Sequence, residues 1–369
     1  TTEVFLAMNG HDISVAHPNE SQVIRDARRR LGRKYRIEHC SLEEFWAEAE
    51  RHLDLDRLPV LTGERRSYLK QGMWTFLFPG TISSRTYLKQ QDFDATRRLV
   101  YGAEPLACLA MACGAPAPSA YLDRGWRCLL ANHTHDANGG CAPDAVCLDM
   151  EYRYRQASDI SDIVADDAMA HIATRLAPGR QPADAMQLIV YNPLPLRRDA
   201  VVAVDLEIPR GHGARAARLV GPSGEAVARQ AISDEKSSSF VDSIWEVPRI
   251  LESNRIRFYA HFKDLPGLGY RTFTIVPERA ELRDNATLVT GPNRLENEHL
   301  AATVNGNGTV DLVCKRTGRV YRGLNYLRDQ GECGNAWKHV PPTYAQVFTS
   351  LDSPATIRVV ESGPVVSAI

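Results

Sequence analysis

The pattern of apolar and polar positions changes character twice along the chain. Residues 1–62 mix short apolar runs with helical spacing, residues 63–182 keep helical spacing, and residues 183–369 change to an alternation of period two. Apolar residues recur every three to four positions on a half-buried helix and every two positions on a half-buried strand. The pattern therefore predicts a multidomain chain of α and β structure, with an α/β region, a three-helix bundle and an incomplete antiparallel β-sandwich.

The first region predicts strands that alternate with helices. The runs at residues 3–8 and 35–40 are typical of short strands, and a helix is expected from Ser41, where Glu44 occupies the capping-box position. Asp12 follows the first predicted strand, and α/β folds place their chemistry at the carboxyl ends of strands. Asp12 is therefore a candidate site residue, although an aspartate at this position can equally cap the next helix.

The second region carries three long helical patterns, at residues 84–114, 118–130 and 146–171. Pro105 is expected to kink or break the first of them, because proline removes a backbone hydrogen bond inside a helix. Pro143 suits the first turn of the third helix. Long helices joined by short loops predict a bundle.

The third region predicts antiparallel strands separated by Pro and Gly turns. Candidate strands are residues 188–193, 202–208, 256–262 and 270–275, and residues 305–308 read Asn-Gly-Asn-Gly, a strong hairpin signal.

Composition narrows the classes of partner. Lys plus Arg number 44 and Asp plus Glu number 45, giving a formal net charge of -1, so the sequence offers no basic field for nucleic acid or an anionic membrane surface. No apolar run is long enough to span a membrane. The eight cysteines contain no Cys-x-x-Cys pair and match no zinc-finger spacing, which favours reduced thiols in a cytoplasmic protein.

Both ends of the chain carry strand-like apolar runs, at residues 3–8 and 365–369. We therefore expect the chain to be an internal piece of a longer protein, an expectation that the length of the whole gene tests.

Polar chemistry concentrates in residues 132–144, between the second and third predicted helices. His135 and Asp136 stand there beside the glycine pair Gly139 and Gly140. An imidazole can ligate a metal, a carboxylate can accept hydrogen bonds from sugar hydroxyls, and glycine lets the backbone approach a ligand closely. The alternative is a turn in which His135 and Asp136 serve only as local hydrogen-bonding groups.

Five segments in this order resemble glycoside hydrolase family 38, the α-mannosidases, and in particular its bacterial branch. They are MNGHD at residues 8–12, SSRTYLK at 83–89, HDANGG at 135–140, VYNP at 190–193 and KRTGR at 315–319. The resemblance implies that residues 1–62 are the C-terminal remnant of an α/β catalytic barrel. The ordered combination is more specific than any one segment.

The resemblance implies a retaining hydrolase that cleaves α-mannosidic bonds with a zinc ion. In that family His135 matches a zinc ligand, Asp136 a residue that hydrogen-bonds the sugar, and Asp12 the proposed acid/base. The family's His-x-Asp zinc pair and its Asp-x-Phe-Gly nucleophile motif have no counterpart in this sequence. Since a retaining mechanism needs a second carboxylate about 5 Å from the acid/base, we expect the chain as given to be inactive.

Trp337 falls where similar enzymes carry an aromatic residue that faces the sugar, although a tryptophan in a sandwich loop can equally serve packing. The competing function is a non-catalytic carbohydrate-binding or scaffolding protein that keeps the family's later domains. The sequence leaves the linkage, the aglycone, a phosphorylated substrate and a homo-oligomeric assembly open.

Overall fold

The computed structural model describes residues 3–8, 13–60, 62, 78–176, 186–243, 246–283 and 286–369. The chain divides into two compact units, Thr1–Arg66 and Ser67–Ile369.

The described part of the first unit is helical. It contains α1 (Glu20–Leu31), α2 (Leu42–Arg51) and a single 3-10 turn at Leu55–Arg57. The predicted capping box of α2 is confirmed, because Ser41 Oγ accepts from the Glu44 amide and the Glu44 carboxylate accepts from the Ser41 amide. This exchange satisfies two amides that otherwise lack partners at a helix start.

The two strands predicted in this unit are wrong. Residues 3–8 and 35–40 have no strand conformation, and the Phe5 side chain is largely exposed. A strand needs a neighbour to satisfy its backbone groups, and no described segment of this unit pairs with either run. The described residues of the unit therefore contain no part of a β-barrel, and the barrel remnant stays a prediction.

The helices of the second unit follow the predicted pattern closely. They are α3 (Thr86–Arg98), α4 (Glu104–Ala112), α5 (Ser119–Ala131), the short α6 (His135–Gly139) and the 32-residue α7 (Asp144–Arg175). The irregularity expected at Pro105 takes the form of a π-helical turn, Leu99–Ala103, between α3 and α4. Such a widened turn is a common solution where a regular helical hydrogen bond is missing.

These helices share one apolar core. Leu88, Leu99, Leu129 and Met150 are fully buried in it, and each buried side chain of this size contributes about 1.5–3 kcal/mol. Gly125 of α5 faces this core, where a Cβ would make ordinary van der Waals contact at 3.5 Å with Leu99 and Ile160 side-chain carbons. The burial explains why the apolar spacing repeats at helical period over this region.

The strands that follow pair only with antiparallel neighbours. The first six are β1 (Met186–Asn192), β2 (Arg198–Pro209), β3 (Ala216–Val220), β4 (Ala228–Ser243), β5 (Glu246–Leu265) and β6 (Gly269–Glu278). They form two three-stranded sheets, ordered β1-β6-β3 and β2-β5-β4. The two sheets share a core in which the rings of Phe262 and Phe273 lie 4.9 Å apart.

Two further sheets, of five and two strands, contain the remaining strands. The strands are β7 (Val289–Gly291), β8 (Arg294–Glu296), β9 (Leu300–Val304), β10 (Val310–Cys314), β11 (Val320–Leu324), β12 (Arg328–Gln330) and β13 (Val347–Thr349). Five of them form a sheet of order β11-β10-β9-β8-β7, and β12 pairs with β13. The hairpin predicted at residues 305–308 is confirmed between β9 and β10, where Gly308 has a φ of 82°.

A third apolar cluster joins the helices to the sheets. Leu106 and Ile172 pack there with Tyr191 of β1 and Tyr270 of β6. The Tyr191 hydroxyl donates to the Met169 carbonyl at 2.9 Å, and the two tyrosine rings lie 6.1 Å apart.

Among the described helices, none combines the length and apolar character that a membrane crossing requires.

Candidate functional site

The loop between α5 and α7 is shaped by a left-handed glycine. Gly140 ends α6 with a φ of +79°, and a Cβ at this position would come within 2.7 Å of the Ser84 carbonyl oxygen. Both the backbone conformation and the close approach require glycine. Ala137 is buried and fixes the other side of α6 to the helical core.

Arg85 fastens this loop to the start of α3. Its Nε donates to the Gly140 carbonyl at 3.1 Å, and its Nη2 donates to the Ala142 carbonyl at 3.4 Å and to Asp144 Oδ1 at 2.7 Å. The hydrogen bond to Asp144 is the main reason that the pKa of Arg85 lies above its ordinary value. Ser84 Oγ adds a further bond to the Gly140 carbonyl at 3.2 Å.

The loop presents His135 and Asp136 to solvent. Their side chains are 96% and 67% exposed, and His135 Nε2 lies 3.5 Å from Asp136 Oδ1. The Cys141 thiol donates to the same oxygen, Asp136 Oδ1, at 3.3 Å. The imidazole and the carboxylate can therefore reach a ligand outside the loop, while the Cys141 thiol is hydrogen-bonded to one of the two carboxylate oxygens.

Trp337 lies beside this loop although it is about 200 residues away in sequence. The Gly80 amide donates to the Trp337 carbonyl at 2.9 Å, and the Phe78 and Trp337 rings lie 6.5 Å apart. The Trp337 amide donates to Asn335 Oδ1 at 2.9 Å, which fixes the turn that carries the indole. The indole itself is 45% exposed.

The Cys141 thiol links Trp337 to the loop. Burial and the neighbouring Asp136 carboxylate raise the pKa of Cys141, and the adjacent indole N–H of Trp337 opposes that rise. The structure thus brings the candidate residues His135, Asp136 and Trp337 into one neighbourhood. The fourth candidate, Asp12, lies outside the described residues.

A polar cluster around the buried Asn132 holds the start of the loop. Asn132 is fully buried and donates to the Met150 carbonyl at 2.9 Å, and His133 Nε2 lies 2.7 Å from Asp92 Oδ1. Burial and the nearby Asp92 charge raise the pKa of Tyr154. These contacts tie the loop to α3 and α7 at its N-terminal end.

Sequence reasoning missed the two residues that hold the site together. Arg85 belongs to a segment that was noted only for its resemblance, and Cys141 counted only as one of the reduced thiols. Cys141 stands next to Gly140 in the sequence, and a glycine forced by a close backbone approach implies that another segment packs against it. Arg85 lies 55 residues from Gly140, and no local pattern connects the two.

The donor set does not complete a zinc site by itself. Within the ranges that the structure describes, no three His, Cys, Asp or Glu side chains form a group suited to a metal ion. A catalytic zinc ordinarily takes three protein ligands and a structural zinc takes four. Of the described residues, His135 and the adjacent Asp136 are what the loop can offer a metal.

Comparison with known proteins agrees with this arrangement of helices and sheets. A family model described as the α-mannosidase middle domain matches residues 77–172, which include the loop of His135. A curated protein of Halalkalibacterium halodurans, provisionally named a mannosylglycerate hydrolase, is 24% identical over 390 residues, covering 100% of this chain and 43% of the relative. Residues 77–172 thus match the middle domain of α-mannosidases, and the whole chain is similar in sequence to this relative.

Two solved structures share the fold of this chain. An α-mannosidase from Enterococcus faecalis V583 superposes with a TM-score of 0.71 at 23% identity, over 94% of this chain and 40% of its own. A family 38 protein from Enterococcus faecalis gives a TM-score of 0.69 at 24% identity, over 97% of this chain and 42% of its own. The chain therefore spans less than half the length of the relatives it matches.

Proposed function

We propose that this chain belongs to glycoside hydrolase family 38 and contributes part of the substrate site of a retaining glycoside hydrolase that cleaves α-mannosidic bonds. The observation that carries the proposal is the exposed pair His135 and Asp136, held on a rigid loop beside Trp337. Relatives of the chain include an α-mannosidase and a provisionally named mannosylglycerate hydrolase. An α-mannoside or a related carbohydrate is the proposed substrate class.

Each candidate residue has a proposed role. Asp136 would accept a hydrogen bond from a sugar hydroxyl, and the half-exposed Trp337 would pack against a face of the sugar ring. His135 would be one ligand of a zinc ion that binds ring hydroxyls, with its other ligands lying outside the described residues. Asp12 stays the proposed acid/base by the family resemblance alone.

We further propose that residues 1–369 alone do not cleave the substrate. Retention requires two carboxyl groups about 5 Å apart, one as acid/base and one as nucleophile. The loop of His135 offers Asp136 and Asp144, of which Asp144 is engaged by Arg85 at 2.7 Å.

All eight cysteines are free thiols, which supports a reducing compartment such as the cytoplasm.

The test is to assay the product of the whole gene against an aryl α-mannoside, and to assay residues 1–369 in parallel. We expect chelator-sensitive cleavage with retained anomeric configuration by the former and no cleavage by the latter. His135→Ala and Asp136→Asn should each lower kcat/KM at least about 100-fold, since each removes a group that binds substrate or metal. Arg127→Ala, on the exposed surface of α5, is the matched control.

Cleavage that survives complete chelation would refute the zinc assignment. Binding of mannosides without cleavage by the whole-gene product would favour the competing function, a non-catalytic carbohydrate-binding or scaffolding protein.

A further inference from the structure

Cys141 is placed between two of the proposed substrate contacts. Its thiol points at Asp136, 3.3 Å from Oδ1 and 3.5 Å from the carbonyl oxygen, and the Trp337 side chain is near enough to lower the pKa of the thiol. The sulfur is also near the backbone of α6, since a Cβ on Gly139 would lie 3.9 Å from it. The thiol thus lies against α6 and has Trp337 as a neighbour.

The two oxygens of Asp136 have different surroundings. Oδ1 faces both the Cys141 thiol and His135 Nε2, at 3.3 and 3.5 Å. Oδ2 has no hydrogen-bond partner among the described residues. A carboxylate held through one oxygen keeps the other oriented outward, where it can accept a hydrogen bond from a ligand.

Such a restraint matters because the Asp136 side chain is 67% exposed. An exposed aspartate samples several rotamers, and a ligand that binds only one of them must offset the lost freedom. A hydrogen bond from the Cys141 thiol favours one rotamer of Asp136 before a ligand binds. Pre-organisation of this kind improves both binding and the geometry of the reaction.

We propose that Cys141 is a positioning residue that orients Asp136 and Trp337 toward the sugar. The inference rests on the proposed function, because it takes Asp136 and Trp337 as sugar contacts. It assigns the thiol no metal and no bond to substrate. The plain alternative is that Cys141 only fills space between α6 and the Trp337 turn.

Three substitutions separate the two roles. Cys141→Ser keeps a hydrogen-bond donor, Cys141→Ala removes the donor and volume, and Cys141→Val removes the donor while restoring volume. If the thiol positions Asp136, the serine variant should remain within about threefold of the parent in kcat/KM. The alanine and valine variants should both fall about tenfold, the scale of one hydrogen bond to a charged group. Space filling predicts instead that valine resembles the parent and that serine does not.

A second readout does not depend on activity. The emission of Trp337 is obtained by subtracting the spectrum of Trp337→Phe from that of the parent, in residues 1–369. We expect Cys141→Ala and Cys141→Val to change the intensity or wavelength of this component, because the sulfur is a neighbour of the Trp337 side chain. Cys108→Ala, which removes an exposed thiol from α4, should leave the component unchanged.

The outcomes are distinguishable from a failure of the proposed function. If the parent whole-gene product cleaves no α-mannoside, the proposed function fails, and the Trp337 emission still reports whether Cys141 contacts the indole. If the parent is active and all three variants match it in kcat/KM, the positioning role is overturned. Unchanged Trp337 emission in Cys141→Ala and Cys141→Val would overturn the Trp337 part of the proposal.

Discussion

At the scale of single residues, Arg85 holds the loop of His135 in place. The residue itself adopts a left-handed conformation with a φ of 50°, which costs a non-glycine residue roughly 1 kcal/mol. Its guanidinium offsets that cost through two carbonyls and one carboxylate on the opposing loop. Local strain maintained by contacts with a distant segment is common at functional sites.

We predict that Arg85→Ala lowers the free energy of unfolding by about 2 kcal/mol, because charged hydrogen bonds of this kind each contribute about 1.5–3 kcal/mol and left-handed strain is not relieved by alanine. Urea unfolding of residues 1–369 measures the change. Arg97→Ala is the control, since Arg97 is exposed and reaches Asp94 only at 3.6 Å. Equal losses in both variants would contradict the role given to Arg85.

Tyr154 gives the helical core a sensitivity to alkaline pH. The residue is 2% exposed, and its hydroxyl makes no hydrogen bond within the described part of the chain. Burial and the Asp92 charge raise its pKa, so the unfolded chain loses this proton at lower pH than the folded chain. The tyrosine therefore contributes stability fully below pH about 10, its unfolded pKa, and that stability is lost as the pH rises further.

We predict that Tyr154→Phe flattens the fall in stability above pH about 10 and is neutral or stabilising at neutral pH, because a buried hydroxyl without a partner costs free energy. Thermal unfolding followed by circular dichroism over an alkaline pH series measures this. Tyr121→Phe, a change at an exposed tyrosine of α5, should leave the alkaline profile as it is. An identical profile for the parent and Tyr154→Phe would show that another group controls the alkaline loss.

At the scale of elements, the end of α6 depends on the absence of one side chain. We predict that Gly140→Ala destabilises the second unit by about 1–3 kcal/mol, since φ is +79° and the new Cβ would approach the Ser84 carbonyl to 2.7 Å. Chemical denaturation measures the loss. Gly102→Ala is the matched control, because nothing lies within 4 Å of its Cβ position in the π-helical turn, and it should be neutral or stabilising.

The strand β8 carries an acid-sensitive charge cluster. Glu296 receives Lys315 Nζ and Arg294 Nη2, each at 2.7 Å, and these two partners lower its pKa from 4.5 to about 2. Since the folded pKa is depressed, the stabilisation is present above pH 4.5 and is lost as the pH falls from 4.5 toward about 2.

We predict that Glu296→Gln removes the contribution of this carboxylate to acid sensitivity. Between about pH 5 and about pH 2, the free energy of unfolding of the variant should therefore change less than that of the parent. Acid titration followed by fluorescence measures the difference. Glu298→Gln, at a neighbouring and more exposed carboxylate, is the control and should follow the parent.

Elements with a local cause could be predicted from the sequence. The run from α3 to α4 and the helices α5 and α7 lie within a few residues of their expected bounds, because each buries apolar residues at helical spacing. The strands expected at residues 3–8 and 35–40 are absent, because a strand depends on a distant partner that its own sequence does not encode.

The site divides in the same way. His135 and Asp136 were predictable, since the motif and its resemblance lie in one short segment. The contact of Cys141 with Trp337 joins positions about 200 residues apart, and no local pattern reports such a contact. The role of Arg85 could not be predicted from its own segment, because two of its three partners are carbonyls of the opposing loop.

At the scale of the whole second unit, the helices and the sheets share a packed boundary. Leu106 and Ile172 of the helices bury Tyr191 and Tyr270 of the first sheet, and the Tyr191 hydroxyl bonds to the Met169 carbonyl. The site depends on both parts, since His135 belongs to the helical part and Trp337 follows β12. A substitution that weakens this boundary should therefore make the relative position of His135 and Trp337 less fixed, although it changes neither residue.

We predict that the helical and β parts of the parent unfold together, and that Tyr191→Ala separates them into two transitions. Tyr191→Ala removes a half-buried ring, and the hydroxyl bond to Met169, from the cluster that couples the two parts, which lowers the free energy needed to separate them. Calorimetry, with Trp337 emission as a local probe, measures the separation. Tyr191→Phe removes only the bond to Met169 and should keep a single transition; two transitions in the parent itself would mean that the boundary does not couple the two parts.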